Sequence, residues 1–261
     1  QFEVFPMKIS ISDTRIRILD TQFLVSGNLN DYLALTTKAD LILNGTVGPE
    51  MMKWIRTAAS LPPELTVHAP VTVSQAHLSW NRGGTTELEG SASVQDDLNL
   101  LYDVSWESER FVVKNLRIRD QTSQATLSLD LQKKMLNLAF SGNLTQSTLN
   151  LLFEHENFRF GWVKGDFYAR IILDRPMEST VRGTIEGEQL VLPFPPKSPL
   201  ILNHISLQAT GKTVNLNPVI LTLGEKRHSV SGKVTASSVA SASFSASASW
   251  SPLRFVSCIP A

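Results

Sequence analysis

The stretch ATLSLDLQKKMLNLAF, residues 125–140, holds two runs of alternating apolar and polar residues separated by Lys133-Lys134. Residues two apart in a β-strand project from the same face, so each run predicts a strand with one apolar and one polar face. The lysine pair fits a short turn between antiparallel partners. The stretch therefore predicts a β-hairpin with one apolar face.

The same period of two recurs along the whole chain. It is found in Phe167-Ala169-Ile171-Leu173, Val219-Leu221-Leu223, Val71-Val73, Ile9-Ile11 and Ile16-Ile18, the last with Arg15 and Arg17 on the opposite face. Turn signals recur at Gly27-Asn28, Asn44-Gly45, Gly83-Gly84, Lys133-Lys134, Gly211-Lys212 and Gly224-Glu225. Many short strands with regular turn signals predict an all-β, mainly antiparallel fold. We expect a repetitive, curled sheet that forms a groove or an open sandwich or barrel.

Two segments have helical spacing instead. In residues 49–61, Met51, Met52 and Ile55 fall on one helix face, and Pro49 suits the first helical position. Residues 146–155 have the same character, with Thr145 as the expected N-cap. Each segment predicts a short amphipathic helix.

An internal repeat links these helices. LILNGTV (41–47) precedes the first and LAFSGNL (138–144) precedes the second, and Gly45 and Gly142 are 97 residues apart. Repeats of this kind stack on their neighbours to complete a core. We therefore divide the chain into an N-terminal β repeat (1–135), a second β repeat (136–236), and a Ser/Ala-rich strand with an irregular tail (237–261).

Composition excludes several classes of protein. The 261 residues carry 24 Lys+Arg and 24 Asp+Glu, and this neutrality argues against an electrostatic nucleic-acid binder. Apolar residues make up 42% of the chain, yet we find no apolar run long enough for a spanning helix and no signal-peptide pattern. Any membrane anchor is expected outside this chain. The single cysteine, Cys258, rules out an intrachain disulfide framework.

No catalytic or metal-binding pattern emerges from the sequence. The five histidines are scattered, without metal-ligand spacing, and nucleophile elbows and phosphate loops are missing. We expect no enzyme activity, no catalytic residue, no metal and no cofactor. The five tryptophans are also spread out, and core packing is the simplest interpretation of each.

The apolar face of the predicted sheet raises the functional question. It must close on a second sheet, be covered by helices, or bind something apolar. A closed sandwich or barrel and an open trough that binds acyl chains both satisfy this requirement. For the trough, the candidate lipid-binding residues are Leu127, Leu129, Leu131, Leu136, Leu138, Phe140, Ile171, Leu173, Leu221 and Leu223.

Residues 136–234 resemble the C-terminal region of bacterial AsmA-like proteins, which are related to TamB-type proteins and similar in design to bridge-like lipid-transfer proteins. The resemblance is carried by SGNLTQSTLN (141–150), GWVKGDFYARIILDRP (161–176), GTIEGEQLVLP (183–193), ISLQATGKTVNL (205–216) and HSVSGKV (228–234). These motifs are structural, and no catalytic role is carried over with them.

This resemblance implies a periplasmic β-groove that conducts phospholipid, or another acyl-chain lipid, between the inner and outer membranes and so contributes to outer-membrane homeostasis. It also implies an inner-membrane anchor in the full-length protein and envelope proteins as possible partners. The alternative that the residues leave open is a closed β-sandwich, an assembly module of the envelope with protein partners and no lipid cargo.

Overall fold

The computed structural model describes residues 2–5, 7–33, 37–58, 66–154, 160–175, 178–192, 200–211, 213–223 and 226–235. The first repeat region contains β1 (Phe2–Phe5), β2 (Lys8–Ile18), β3 (Thr21–Asn30), β4 (Lys38–Val47), α1 (Pro49–Ala58), β5 (Val71–Asn81), β6 (Thr86–Val94), β7 (Leu98–Glu107), β8 (Arg110–Arg119) and β9 (Gln124–Gln132). It is followed by β10 (Met135–Leu144), α2 (Gln146–Leu152), β11 (Trp162–Ile172), β12 (Thr180–Leu192), β13 (Leu200–Gly211), β14 (Thr213–Leu223) and β15 (Lys226–Thr235).

All fifteen strands belong to one antiparallel sheet whose spatial order is their order in the chain. Within the described residues β1 pairs only with β2, and β15 only with β14, so the hydrogen-bonded sheet is not closed. The prediction of an all-β fold with two short helices and an open, curled sheet is confirmed. The division proposed between residues 135 and 136 falls at the start of β10, inside this continuous sheet.

Several glycines lie inside strands, and two of them, Gly27 and Gly45, stand where the sequence predicts turns. Gly27 lies within β3 opposite Leu41, at φ 142°, and Gly142 lies within β10 opposite Ala125, at φ 121°. The predicted turns at Gly27-Asn28 and at Asn44-Gly45, which lies in β4, are therefore wrong. A Cβ atom on Gly142 would lie 2.7 Å from the Cα of Ala125, so only glycine fits this bend.

Other predicted turns are confirmed. Gly83-Gly84 joins β5 to β6, and Lys133-Lys134 joins β9 to β10. Gly211 ends β13, whereas Lys212 and the pair Gly224-Glu225 lie outside the described residues.

The repeat is visible as two matching strand–helix units. β4 and β10 have the same length and begin 97 residues apart, as do α1 and α2 at Pro49 and Gln146. α1 is described to Ala58, so the predicted extension to 61 lies outside the described residues. α2 ends at Leu152, earlier than predicted, because Phe153 has extended backbone and pairs with Val67.

Candidate functional site

One face of the sheet is apolar across nearly its whole width, and we call it the trough face. Residues paired directly across antiparallel strands share a face. A row of such pairs crosses seven strands from β5 to β11, through Trp80, Thr86, Trp106, Phe111, Leu131, Leu136 and Ile171. We call this row the open end. The opposite limit of the same face, the closed end, includes Val47, Val71, Val94, Leu98, Leu144 and Val163.

Burial differs sharply between the two ends of the trough face. At the closed end Val94 and Leu98 are fully buried, whereas Trp106 and Phe111 at the open end are 40% and 41% exposed. Because apolar residues are buried at one end and exposed at the other, the trough is filled at the closed end and accessible at the open end.

The candidate lipid-binding residues of β9 and β10 share the trough face in direct register. Leu127 pairs with Phe140, Leu129 with Leu138, and Leu131 with Leu136. Their exposure follows the same gradient, from the buried Phe140 to Leu131 at 40%. The hairpin predicted from sequence is therefore present with the predicted face.

The remaining candidates differ in position. Ile171 pairs with Leu136 and so continues the trough face, whereas Leu221 pairs with the buried Leu202 next to an irregularity in the β13–β14 register. Leu173 lies in the turn after β11, is 55% exposed, and is not part of the strand face because β11 ends at Ile172. Leu223 lies in β14, but its side chain is outside the described ones.

The two helices fill the closed end. Met51 of α1 and Leu149 and Leu152 of α2 are buried in one cluster with the closed-end strand residues. The segments after the helices are joined, because the His68 amide donates to the Leu152 carbonyl at 2.9 Å and the Glu154 amide donates to that of Thr66 at 2.9 Å. The helices thus form one connected plug.

In the first repeat, the β2–β3 connection holds the start of α1. The Asp20 carboxylate accepts hydrogen bonds from the amides of Glu50 at 2.7 Å and Met51 at 3.1 Å. The fully buried Thr21 hydroxyl accepts from the Gly48 amide at 3.1 Å. Burial acts to raise the pKa of Asp20, but the hydrogen bonds from these amides outweigh that effect, so the pKa of Asp20 lies below its usual value. The ionised carboxylate therefore caps the helix.

The second repeat has a comparable anchor at the start of α2. The Ser123 hydroxyl accepts from the Thr145 amide at 2.8 Å, and Asp120 accepts from the Thr148 hydroxyl at 2.5 Å. Burial acts to raise the pKa of Asp120, but hydrogen bonds from Thr148, Thr122 and Ser123 lower it below the usual value. Thr145 occupies the N-cap position as predicted, yet its side chain makes no capping bond to the helix backbone.

Neither anchor is predicted from the sequence. The matching pairs are Gly48 with Thr145 and Met51 with Thr148, each 97 residues apart, so the repeat spacing could have located the helix side. The carboxylates could not be found in that way, because Asp20 and Asp120 are offset differently from the helices that they hold.

The tryptophans also differ from expectation. Trp80 and Trp106 are 37% and 40% exposed at the open end, and Trp54 is 60% exposed on α1. Trp162 is half-buried on the polar face, where its Nε1 donates to Glu188 at 3.2 Å. The prediction of core packing is wrong for these four, and Trp250 lies outside the described residues.

The opposite face is polar, and several of its charges are paired across strands. Lys114 lies 2.9 Å from Glu87 and 3.4 Å from Asp103, and Lys164 lies 3.0 Å from Glu186. A shallow cleft of about 630 Å³ on this side is lined mainly by charged and polar residues of the strand ends and turns at the open end. Cross-strand ion pairs on one face and a predominantly apolar surface on the other make the sheet two-sided.

On the polar face, His77 lies between two carboxylates on neighbouring strands. Its Nε2 is 2.6 Å from Asp40 and its Nδ1 is 3.5 Å from Glu89. The hydrogen bond to Asp40 is the main reason why the pKa of His77 is raised above its usual value. This cluster supports the outer face and lies on the side of the sheet away from the trough.

Nothing in the described part of the chain has the arrangement of a metal site built from His, Cys, Asp and Glu side chains. Neither α1 nor α2 is long and apolar enough to cross a bilayer. Comparison of the chain with protein-family models, with curated proteins and with solved structures gives no match.

Proposed function

We propose that this protein is a lipid-binding segment of a cell-envelope protein, in which the trough face holds the acyl chains of phospholipids and conducts them between the inner and outer membranes. The observation that carries the proposal is the trough face itself, an apolar surface registered across consecutive strands, plugged at one end and accessible at the other.

Simple energetics support an acyl chain as the occupant. Each methylene group that leaves water for an apolar surface contributes about 0.8 kcal/mol, so a chain lying across several strands gains affinity without any specific headgroup site. The exposed leucine and aromatic side chains of the open end would lose their own contact with water in the same step.

The polar face supports a location in an aqueous compartment. Its cross-strand ion pairs keep that side of the sheet solvated while the trough face is occupied. The resemblance of residues 136–234 to AsmA-like proteins favours the periplasm, with anchorage to the inner membrane in the full-length protein. We propose a passive mechanism in which lipid slides along the trough face, without an enzymatic step or cofactor.

Lipid co-purification tests the proposal. Native mass spectrometry and organic extraction of the protein isolated from bacterial envelopes should reveal bound phospholipid, and a fluorescent fatty acid should bind to the delipidated protein. Protein that is free of lipid and does not bind the fatty acid would instead favour an envelope assembly module with protein partners.

A further inference from the structure

The closed end carries exposed apolar residues outside the trough plug. Six of them lie on the β2–β3 hairpin and on α1, and we call all of these except Leu24, which is paired with Arg15 on the opposite face, the docking patch: Ile16, Ile18, Leu19, Trp54 and Ile55. Their exposures range from 39% for Ile16 to 60% for Trp54. Exposed apolar residues grouped in this way on a solvent-exposed surface mark an interaction site.

The hairpin and the helix are held together as one surface. The Asp20 carboxylate, next to Leu19 at the hairpin tip, accepts hydrogen bonds from two amides in the first turn of α1. The tip and the helix therefore present their apolar residues at the same end of the sheet.

The repeat shows that this exposure is particular to the first unit. Ile55 is equivalent to Leu152 of α2, since the two residues are 97 apart. Leu152 is buried at 9% exposure, and its carbonyl accepts a hydrogen bond from the segment that follows α1. Ile55, by contrast, is 40% exposed.

Leu19 is an unusual residue for its position. It sits at the tip of a hairpin with φ 55°, a conformation that favours glycine or asparagine, and more than half of its surface is exposed. Neither turn geometry nor core packing explains a leucine at position 19, whereas contact with an apolar environment explains it.

Positive charge exceeds negative charge on the hairpin and helix that carry the patch. Their basic residues are Lys8, Arg15, Arg17, Lys53 and Arg56, and their acidic residues are Asp13, Asp20 and Glu50. Arg15 and Arg17 project from the face of β2 opposite Ile16 and Ile18. This local excess stands out in a chain with no net charge. Apolar side chains with an exposed tryptophan, accompanied by Arg and Lys, have the chemistry of a surface that lies in the interface of an anionic bilayer.

We propose that the docking patch inserts into the surface of a membrane containing anionic phospholipids. The hairpin tip and α1 would enter the headgroup region while Arg15, Arg17 and Lys53 contact lipid phosphates. The strands then run away from the bilayer, so the open end of the trough lies about 30 Å from it, at roughly 3.4 Å per residue. This proposal does not rest on lipid carriage in the trough.

Vesicle flotation tests the proposal with the full chain. The protein should float with phosphatidylcholine vesicles that contain phosphatidylglycerol, and should float poorly with pure phosphatidylcholine or in high salt. Ile18→Thr/Leu19→Asn should weaken flotation about tenfold. Asparagine tolerates the backbone of residue 19, so thermal stability should not fall. Leu101→Thr, at an equally exposed leucine on the polar face, is the matched control and should float normally.

A site-specific dye establishes which end is docked. With Cys258 replaced by serine, an environment-sensitive fluorophore on Leu19→Cys should shift to the blue with anionic vesicles, whereas one on Ser108→Cys, in the turn after β7, should not. Wild-type protein that does not float, a double variant that floats like wild type, or a shift at residue 108 would overturn the proposal. So would self-association through the patch, seen by light scattering as a dimer that the double variant abolishes.

Discussion

Placing a charge at Leu129 separates a trough from a closed core. Leu129 lies on the trough face between Val113 and Leu138, and it is half-buried. In an accessible trough the carboxylate of Leu129→Asp remains hydrated, so only part of the leucine's burial energy is lost, about 1–2 kcal/mol. For a protein of this size, that corresponds to a fall in Tm of roughly 2–8 °C.

The same substitution should strongly impair lipid binding. With a carboxylate at residue 129, about three methylene groups of a bound chain lose their apolar contact. The loss of binding free energy is about 2.4 kcal/mol, which corresponds to roughly 50-fold in affinity. Titration with a fluorescent fatty acid measures the loss, and thermal unfolding monitored by circular dichroism measures stability. The matched control is Ser128→Asp, one residue along on the polar face, which should leave both quantities nearly unchanged.

A buried site provides the comparison for the stability measurement. Val94→Asp places a carboxylate where no surface is exposed, and it should unfold the closed end. If Leu129→Asp unfolds the protein as severely as Val94→Asp, the trough face is a closed core and the reasoning fails. If Leu129→Asp folds and binds the fatty acid as tightly as wild type, the bound chain lies elsewhere.

Three further predictions concern the anchor, the bend and the outer face. Asp120→Asn should cost about 1–3 kcal/mol in urea unfolding at neutral pH, because it weakens the bonds of a buried hydroxyl. The cost should be smaller in acid, because the pKa of Asp120 is lowered and its stabilisation disappears as pH falls through that pKa. The control Asp174→Asn, in an exposed ion pair, should leave the free energy of unfolding nearly unchanged. Gly142→Ala should destabilise the protein by about 3 kcal/mol and Gly83→Ala by about 1 kcal/mol. Both glycines have positive φ, but only at Gly142 would the added Cβ atom clash with the backbone of a neighbouring strand. Equal effects of the two substitutions would contradict the bend assigned to Gly142. Because the pKa of His77 is raised in the folded protein, the stabilisation that protonated His77 provides is complete below its unfolded pKa and is lost as pH rises through its folded pKa. His77→Gln should therefore destabilise the protein more near pH 5.5 than near pH 8.5. A difference in stability that does not change with pH would refute the ion pair.

Much of the fold could be predicted because strand formation depends on local alternation. The β9–β10 hairpin, the turns at Gly83-Gly84 and Lys133-Lys134, and the starts of both helices all follow from neighbouring residues. The sequence wrongly predicts turns at Gly27 and Asn44-Gly45, because glycine inside a bent strand looks the same in sequence as glycine between strands. The neighbouring strand that requires glycine there is distant in the chain.

The candidate site was predictable in part for the same reason. The residues of β9 and β10 were placed correctly because alternation fixes which side chains share a face, whereas Leu173 was not, because alternation does not show where a strand ends. The exposure of Trp80 and Trp106 at the open end also escaped prediction, since it depends on how far the helix plug extends along the sheet.

The sequence by itself determined that this chain forms a long antiparallel sheet with one apolar face, two helices and a 97-residue repeat, because each of these is a local or periodic property. Only the tertiary structure decided that the sheet stays open, that the helices plug one end through Asp20 and Asp120, and that the other end is accessible. These features depend on curvature and on contacts between residues far apart in the chain, and the period of a strand carries no information about either.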